Sequence, residues 1–234
     1  MVENIREAEP RVGVRKLHHR LNKEKRVIGR DALFYLLRQE NKLIKRKKKY
    51  CKTTYSKHKY AVAPNRVKHL EVTKPKQVLV SDITYLSLRR GQKAYLFLVT
   101  DMYSRHIVGF HVSRDLSHHA ALLALDNAVR LMGDTTGIVH HSDRGSQYCC
   151  HEYLGYLHQY LMIPSMTDES HCYQNAIAER VNGILKDEFN LDATFESFDE
   201  LQQAVVKSIM VYNTIRTHGS LNLKTPLEVF EEAA

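Results

Sequence analysis

The spacing of apolar residues divides the chain into two regions. Between residues 10 and 40 apolar side chains recur every three or four positions, as at Val14, Leu17 and Leu21, which predicts two helices joined by a glycine turn. From residue 77 onward apolar and polar residues alternate, a pattern typical of strands, and longer helical patterns follow. The predicted strands are 77–88, 93–103, 105–113, 137–143 and a short one at 165–168, and the predicted helices of this region are 117–133, 151–162, 173–189 and 196–218.

This order of elements defines a fold class. Three consecutive strands followed by alternating helices and strands predict an α/β fold in which helices flank a mixed sheet of five strands. The helix pair ahead of it predicts a small N-terminal domain of the helix-turn-helix kind. Pro64 and Pro75 bracket the passage between the two parts. We therefore expect a helical region with its linker at residues 1–60 and the α/β domain at residues 61–234.

Charge is spread unevenly over these two parts. The chain carries 35 Lys and Arg against 26 Asp and Glu; residues 1–75 hold 22 of the cations and 7 of the acids, and residues 76–234 hold 13 and 19. A basic arm on a mildly acidic body indicates a polyanionic partner for the arm. Cations interleave with tyrosines at 42–60, so this segment is either a solvated linker or a nucleic-acid-binding one. We interpret residues 1–60 as a basic, helix-turn-helix-like DNA-binding region.

Composition excludes several other classes of protein. No run of about 18 apolar residues is present to span a membrane, and the N-terminus MVENIREAEP lacks the apolar core of a secretory signal. The four cysteines form no C-x-x-C pair, so reduced thiols in a cytoplasmic protein are the simplest interpretation. A zinc site built from them and from the 14 histidines finds no support in the spacing.

The candidate chemistry lies in three acidic residues. Asp82 interrupts the alternation of the first strand at an apolar position, and a buried charge without a partner is costly. Asp143 ends the fourth strand, in HHSDRGSQY at 140–148, where a turn is the simpler interpretation. Glu179 lies on the polar face of a predicted helix, where solvent exposure is the usual fate of a glutamate. Taken singly, these positions leave the structural interpretation open.

Taken together, five motifs surround these acids. They are SDITYL around Asp82, YLFLVTDMYSRHIVGF at 95–110, HSDRGSQY at 141–148, NAIAERVNGILKDE at 175–188 and YNTIRTHGSLNLKTP at 212–226, with 60 residues between the first and second acids and 35 between the second and third. With these motifs in this order, the chain resembles the DDE transposases and retroviral-type integrases. It is most similar to the second-reading-frame protein of the IS-three family of bacterial insertion sequences. The resemblance covers nearly all of residues 77–230, and residues 10–60 resemble the helix-turn-helix unit that precedes this core.

The resemblance implies a fold, an activity and a set of site residues. The fold is ribonuclease H-like, with its first and fourth strands adjacent, so that Asp82 and Asp143 lie side by side and the long helix places Glu179 over them. The implied activity is Mg²⁺-dependent DNA cleavage and strand transfer, with these carboxylates as catalytic residues and as ligands of two Mg²⁺ ions, for which Mn²⁺ substitutes. The residues expected to contact DNA are Lys186, Asn182, Asn175, Gln147 and Arg144 in the core, and Lys45, Arg46, Lys47, Lys48 and Lys49 in the basic arm.

The resemblance also implies partners. DNA is expected both as element ends and as target, bound by a homo-oligomer at the nucleoid in the bacterial cytoplasm, with no membrane association. A first-reading-frame protein with its own helix-turn-helix and a leucine zipper is expected as a partner or as a fused segment. Two departures from the family concern the contacts to DNA ends. Leu79 stands where the family has a tryptophan, and residues 170–175 read SHCYQN in place of GNCWDN.

Two alternatives to a transposase that cleaves and joins DNA stay open. In the first, the chain is a DNA-binding or assembly subunit that needs the first-frame partner for activity. In the second, it is a ribonuclease H-like nuclease without strand transfer. An ordinary surface lysine stays open as the interpretation of Lys186, and packing against the core stays open for the terminal motif at 212–218. His140 and His141 are interpreted as structural or supporting residues, because Mg²⁺ prefers oxygen ligands.

Overall fold

The computed structural model describes residues 1–24, 28–44, 60–168 and 175–232. Within these ranges the helices and strands follow the predicted order, with three short helices and one short strand added. The helices are α1 (Val2–Ala8), α2 (Val14–Lys23), α3 (Arg30–Gln39), α4 (His118–Met132), α5 (Ser146–Cys149), α6 (His151–Gln159), α7 (Ala176–Glu188), α8 (Phe198–Thr214) and α9 (Pro226–Glu231). The strands are β1 (Val78–Leu88), β2 (Lys93–Asp101), β3 (Ile107–Ser113), β4 (Val139–Ser142), β5 (Ile163–Met166) and β6 (Thr194–Phe195).

The predicted helix pair forms the N-terminal part of the structure. Leu17 and Leu21 of α2 pack with Leu33 and Leu37 of α3 in a small core of their own. Each pair is spaced four residues apart, which puts both leucines on one face of their helix. The short helix α1, which the pattern did not predict, adds Ile5 to this core.

β1 lies at the centre of a mixed sheet with the strand order β3-β2-β1-β4-β5. β2 is antiparallel to β1 and β3, whereas β4 runs parallel to β1 and β5. The predicted five-stranded arrangement is confirmed with one correction, since a sixth strand of two residues, β6, pairs with the end of β1. A second correction moves β5 two residues toward the N-terminus. Pro164 obscured this strand in the sequence, but a strand at a sheet edge tolerates proline.

Side chains of β1 point alternately into two hydrophobic cores on opposite faces of the sheet. Leu79 belongs to the core beneath α4 and α6, whereas Leu86 belongs to the core beneath α7 and α8. The first core is tight, because a Cβ on Gly109 of β3 would lie 2.3 Å from the carbonyl oxygen of Ala124 in α4. The sheet is thus covered by helices on both faces, as predicted.

The described chain ends in α9, a helix that begins with a capping box. Thr225 Oγ1 accepts a hydrogen bond from the Glu228 N–H, and the Glu228 carboxylate accepts one from the Thr225 N–H, with Pro226 at the first helical position. Six residues are too few for the periodicity on which the sequence prediction relied. None of the helices in the described ranges is both long and apolar enough to cross a bilayer.

Candidate active site

Neighbouring strands bring two of the three acids together. β1 and β4 pair in parallel with Ser81 opposite Ser142. Asp82 and Asp143 each follow this pair in sequence, so they occupy adjacent positions on strands that lie about 4.8 Å apart. The predicted adjacency of the first and fourth strands is therefore confirmed.

The Asp82 carboxylate is half-buried and accepts two hydrogen bonds. The N–H of Ile83 donates to Oδ1 over 2.9 Å, and Nδ2 of Asn182 on α7 donates to Oδ2 over 2.8 Å. Burial, followed by the negative charge of Asp143, raises the pKa of Asp82 to about 7, although both hydrogen bonds oppose this rise; Glu179 adds to it. Asp82 thus lies where a nearby cation would stabilise its ionised form.

The Asp143 carboxylate is held by the loop that follows β4. The Gly145 N–H donates to Oδ1 of Asp143 over 2.9 Å. A Cβ at Gly145 would lie 3.0 Å from that oxygen and 3.1 Å from Oε1 of Gln147, so glycine lets the loop close around the carboxylate without displacing either group. Asp143 therefore turns the chain and also places a negative charge beside Asp82.

Two predicted DNA-binding residues anchor this loop. Arg144 donates through Nε to the carbonyl oxygen of Thr167, just after β5, over 2.8 Å. Gln147 donates through Nε2 to the carbonyl oxygen of Leu116, ahead of α4, over 3.2 Å. The structure thus shows both side chains holding the Asp143 loop in position, and their contacts to DNA stay a prediction.

Glu179 lies in the first turn of α7, above the sheet. Its side chain is exposed, and partial burial and the charge of Asp143 raise its pKa. Asn175 donates to the carbonyl oxygen of Ser81 over 3.0 Å, so it and Asn182 both tie α7 to β1. Both asparagines are buried, although helical periodicity puts them on the polar face that also carries Glu179. Their predicted contacts to DNA are not tested by this packing.

The chemistry of the three carboxylates suits a hard cation, although their arrangement does not yet enclose one. Within the described ranges no three His, Cys, Asp or Glu side chains converge closely enough to hold a metal ion. The charge of Asp143 nevertheless contributes to the raised pKa of both Asp82 and Glu179, and all donor atoms of the three acids are oxygens, which hard divalent cations prefer. Each oxygen of Asp82 accepts one hydrogen bond, which leaves a lone pair on each for a cation.

Two buried histidines support β4 behind the acids. Nε2 of His140 shares hydrogen bonds with Ser81 Oγ over 2.8 Å and with the Tyr153 hydroxyl over 3.0 Å. Nδ1 of His141 shares one with Ser165 Oγ over 2.9 Å. Burial lowers the pKa of His140 to about 3, so this ring is neutral at physiological pH. These contacts connect β4 to both neighbouring strands and to α6.

The remaining predicted residues lie at the edges of the site or beyond the described ranges. Lys186 lies on α7, two turns after Glu179. Its side chain is half-buried and already interacts with another group of the protein. Leu79, in place of the family tryptophan, is completely buried in the core beneath α4. The basic residues 45–49 and the stretch 170–174 fall outside the described part of the chain.

Sequence reasoning missed a second charged cluster, at the far end of α7. Glu188 accepts hydrogen bonds from Nε and Nη2 of Arg216, each 2.8 Å long, and from Nζ of Lys16 over 2.9 Å. Burial opposes ionisation of Glu188, but Arg216 and Lys16 outweigh it and lower its pKa to about 2. The Arg11 N–H also donates to the Glu188 carbonyl oxygen over 3.1 Å. This cluster joins the N-terminal helices to α7.

Comparison with known proteins agrees with this architecture. Two families, both described as the integrase core domain, match residues 72–172 and 162–226. The 31 kDa protein of insertion element IS600 from Shigella sonnei is 34% identical over 227 residues, which cover 96% of this chain and 83% of that protein. The transposase of insertion sequence element IS904 from Lactococcus lactis is 33% identical over 165 residues, which cover 70% of this chain and 65% of that protein.

Solved structures share the fold. The catalytic core domain of HTLV-2 integrase, in complex with magnesium, matches with a TM-score of 0.53 at 19% identity and covers 67% of this chain and 97% of its own. A chain of the simian T-cell lymphotropic virus intasome matches with a TM-score of 0.57 at 14% identity, over 98% of this chain and 74% of its own. The fold and the family match define a DDE polynucleotidyl transferase, an enzyme whose substrate is DNA. The chain belongs to the insertion-sequence transposases of the IS-three type.

Proposed function

We propose that Asp82, Asp143 and Glu179 form the active site at which this transposase cleaves the ends of its insertion sequence and joins them to target DNA. The observation that carries the proposal is electrostatic. Acids on β1, directly after β4 and on α7 share one environment, in which the pKa of Asp82 rises to about 7. Such groups repel one another unless a cation relieves the repulsion, and perturbed carboxylates of this kind cluster at functional sites.

The residues present suit Mg²⁺, with Mn²⁺ as a substitute, because all three side chains offer carboxylate oxygens. The HTLV-2 integrase core, which has the same fold, was solved in complex with magnesium, and this supports a divalent cation as the cofactor of this chain. Two such ions, when bound, activate the attacking oxygen and stabilise the leaving oxygen of an in-line phosphoryl transfer. In this chain Asp82, Asp143 and Glu179 would hold them.

The neighbouring residues position the carboxylates. Asn182 orients Oδ2 of Asp82, and the Gly145 N–H orients Oδ1 of Asp143. Asn175 fixes the start of α7, and with it Glu179, above Ser81. With water as the attacking group the product is a nicked strand, and with a DNA 3′-hydroxyl it is a joined strand.

The experiment that tests this function uses labelled duplexes that end in candidate element ends. The protein is incubated with them and Mg²⁺, with and without its first-frame partner. Joined products that require Mg²⁺ support the transposase. Cleavage without joining would indicate a nuclease, and retention of DNA without cleavage would indicate a DNA-binding or assembly subunit.

DNA binding and assembly extend the proposal. We assign residues 1–60 to a DNA-binding region and residues 61–234 to the catalytic domain, with the cations at 45–49 on DNA phosphates. We further propose that the protein works as a homo-oligomer at the bacterial nucleoid, together with a first-reading-frame partner. The likeness to a chain of a viral intasome, itself an assembly, supports the oligomer.

Lys186 provides a test of the DNA contacts. Its Cα lies roughly 10.5 Å beyond that of Glu179 along α7, which is too far to share a metal with the carboxylates but suits a flanking phosphate. We expect Lys186→Ala to weaken binding of element ends and to make the log–log salt dependence shallower by about 1, with Mg²⁺ affinity nearly unchanged. Fluorescence anisotropy against KCl concentration measures both quantities for DNA.

Lys207→Ala is the matched control for this experiment, since Lys207 is an exposed lysine on the next helix, α8. Equal affinity of the two alanine variants for element ends would make Lys186 an ordinary surface lysine.

Charge removal in the basic arm is the second test of DNA binding. Conversion of residues 45–49 to glutamine is expected to weaken binding of any duplex, because each lost phosphate contact reduces the log–log salt slope by about 0.9. The charge-preserving variant, with arginine at each lysine position of this segment, keeps the slope. An unchanged slope in the glutamine variant would show that the segment is a solvated linker.

A further inference from the structure

A deep cleft separates the N-terminal helices from the catalytic domain. It has a volume of about 1030 Å³ and lies between α2 and α3 on one side and α7 on the other. The chain at the end of α8 and just beyond it forms part of the wall, through Tyr212, Arg216 and His218. Arg180 opens onto this cleft, and it follows Glu179 directly in sequence. The cleft therefore lies along α7, the helix that also carries Glu179.

The lining of the cleft is strongly basic. Among its lining residues are six cations (Arg15, Lys16, Arg30, Arg105, Arg180 and Arg216) and two acids (Asp31 and Glu188). Both acids are already engaged, the first with Arg30 and the second with Arg216 and Lys16. A concave surface with an excess of one charge concentrates ligands of the opposite charge. The cleft thus favours an anionic occupant.

Three of these arginines have guanidinium groups that are available to bind a ligand. Within the described ranges, Arg15, Arg105 and Arg180 donate no side-chain hydrogen bond and join no ion pair. A guanidinium carries five N–H donors in a planar fork that matches phosphate oxygens. Arg105 is half-buried, and burial lowers its pKa because removing the charged guanidinium from water costs free energy. A phosphate beside the guanidinium would offset that desolvation cost.

Buried polar atoms in the wall of the cleft point to the same kind of ligand. Tyr212 is completely buried, and its hydroxyl has no hydrogen-bond partner among the described residues. Nε2 of His218 also has no hydrogen-bond partner among the described residues, and the His218 side chain is buried, with 7% of its surface exposed. A buried polar group left unpaired typically costs about 1–3 kcal/mol. A ligand oxygen in the cleft would accept the Tyr212 hydrogen bond and remove part of this cost.

We propose that this cleft binds the phosphodiester backbone of DNA, with Arg15, Arg105 and Arg180 contacting phosphates and the Tyr212 hydroxyl donating from the wall. At about 1030 Å³ the cleft has room for more than a single small anion, which suits a stretch of DNA backbone. The inference rests on DNA being the substrate of the protein. It does not rest on the assignment of the three carboxylates.

The test compares salt dependence in matched variants of the full chain. Arg180→Gln and Arg15→Gln change exposed residues, and Arg105→Gln changes the half-buried one. Fluorescence anisotropy with a labelled duplex is measured against KCl concentration, and circular dichroism checks the fold of each variant. We expect each cleft substitution to weaken DNA binding and to reduce the log–log salt slope by about 1. Arg130→Gln, on α4 at the opposite face of the sheet, is the matched control and keeps the slope.

A second readout concerns Tyr212. Tyr212→Phe is expected to raise the Tm of the protein without DNA, because it removes an unpaired buried hydroxyl, and to weaken DNA binding. A purely structural role would change the Tm alone. Wild-type slopes in both Arg15→Gln and Arg180→Gln would overturn the proposal, even if Arg105→Gln failed to fold.

Sodium pyrophosphate separates DNA from a small anion. Stabilisation of the wild type by pyrophosphate that is lost in Arg180→Gln, together with unchanged DNA slopes, would identify a small-anion site and also overturn the proposal. The same measurements distinguish failure of this proposal from failure of the active-site assignment. Asp82→Asn removes a carboxylate of the active site and leaves the cleft intact. The salt slope of DNA binding by this variant therefore does not fall, whether or not the variant still cleaves DNA.

Discussion

Asp82→Asn, Asp143→Asn and Glu179→Gln are each expected to abolish cleavage and strand joining, by roughly a thousandfold or more. Each change removes a metal-binding charge and almost no volume, and the several kcal/mol of charge stabilisation that a bound ion supplies depend on that charge. The fold should survive, and thermal stability without metal should hold or rise because one source of repulsion is gone. Gel assays of labelled element ends measure the activity, and calorimetric titration with Mg²⁺ measures the loss of metal affinity.

Asp115→Asn is the control for these three variants, since Asp115 is an exposed acid in the loop after β3. It should cleave and join DNA like the wild type. Each active-site variant should still bind duplex DNA, which separates loss of chemistry from loss of folding. Near-normal Mg²⁺-dependent activity in any one of them would remove that residue from the site.

The centre of the fold was readable from the sequence because β1 is regular. Its alternation predicted which side chains enter each core, and Leu79 and Leu86 lie in the two cores accordingly. The same regularity exposed Asp82 as an acid at an apolar position. The family resemblance carried by the motifs around Asp82 and Asp143 then implied that the first and fourth strands are neighbours, which the pairing of Ser81 with Ser142 confirms.

What the sequence could not show are contacts between residues far apart in the chain. Asn182 was expected to contact DNA from the polar face of its helix, because helical periodicity separates polar from apolar residues without saying what covers the polar side. In the structure that face packs over Asp82, 100 residues away, and the asparagine is buried. β6 has only two residues, too few for any periodicity. It is recognised as a strand only through its pairing with the end of β1.

The cluster around Glu188 is the strongest case of this kind, since Lys16 lies 172 residues away from it. Glu188→Gln is expected to destabilise the protein by roughly 3 kcal/mol at neutral pH, because it leaves the buried guanidinium of Arg216 without a carboxylate. The Lys16 ammonium adds to the imbalance. Burial and the charge of Arg216 already lower the pKa of Lys16 more than Glu188 raises it. Urea unfolding followed by circular dichroism measures the free-energy difference.

Glu196→Gln is the matched control, because Glu196 forms an exposed ion pair with Arg89, and such surface pairs contribute about 0–1 kcal/mol. If Glu188→Gln lost no more stability than this control, the cluster would not stabilise the contact between the N-terminal helices and α7.

The pH dependence of unfolding gives an independent signature of the same cluster. The pKa of Glu188 is lowered from its ordinary value of 4.5 to about 2, so its ionised form stabilises the folded state. That contribution is fully present above pH 4.5 and is lost as the pH falls toward 2. The difference in unfolding free energy between wild type and Glu188→Gln should therefore be constant from neutral pH down to about 4.5 and shrink below it. A difference that stayed constant down to pH 2 would show that Glu188 contributes through its shape and not through its charge.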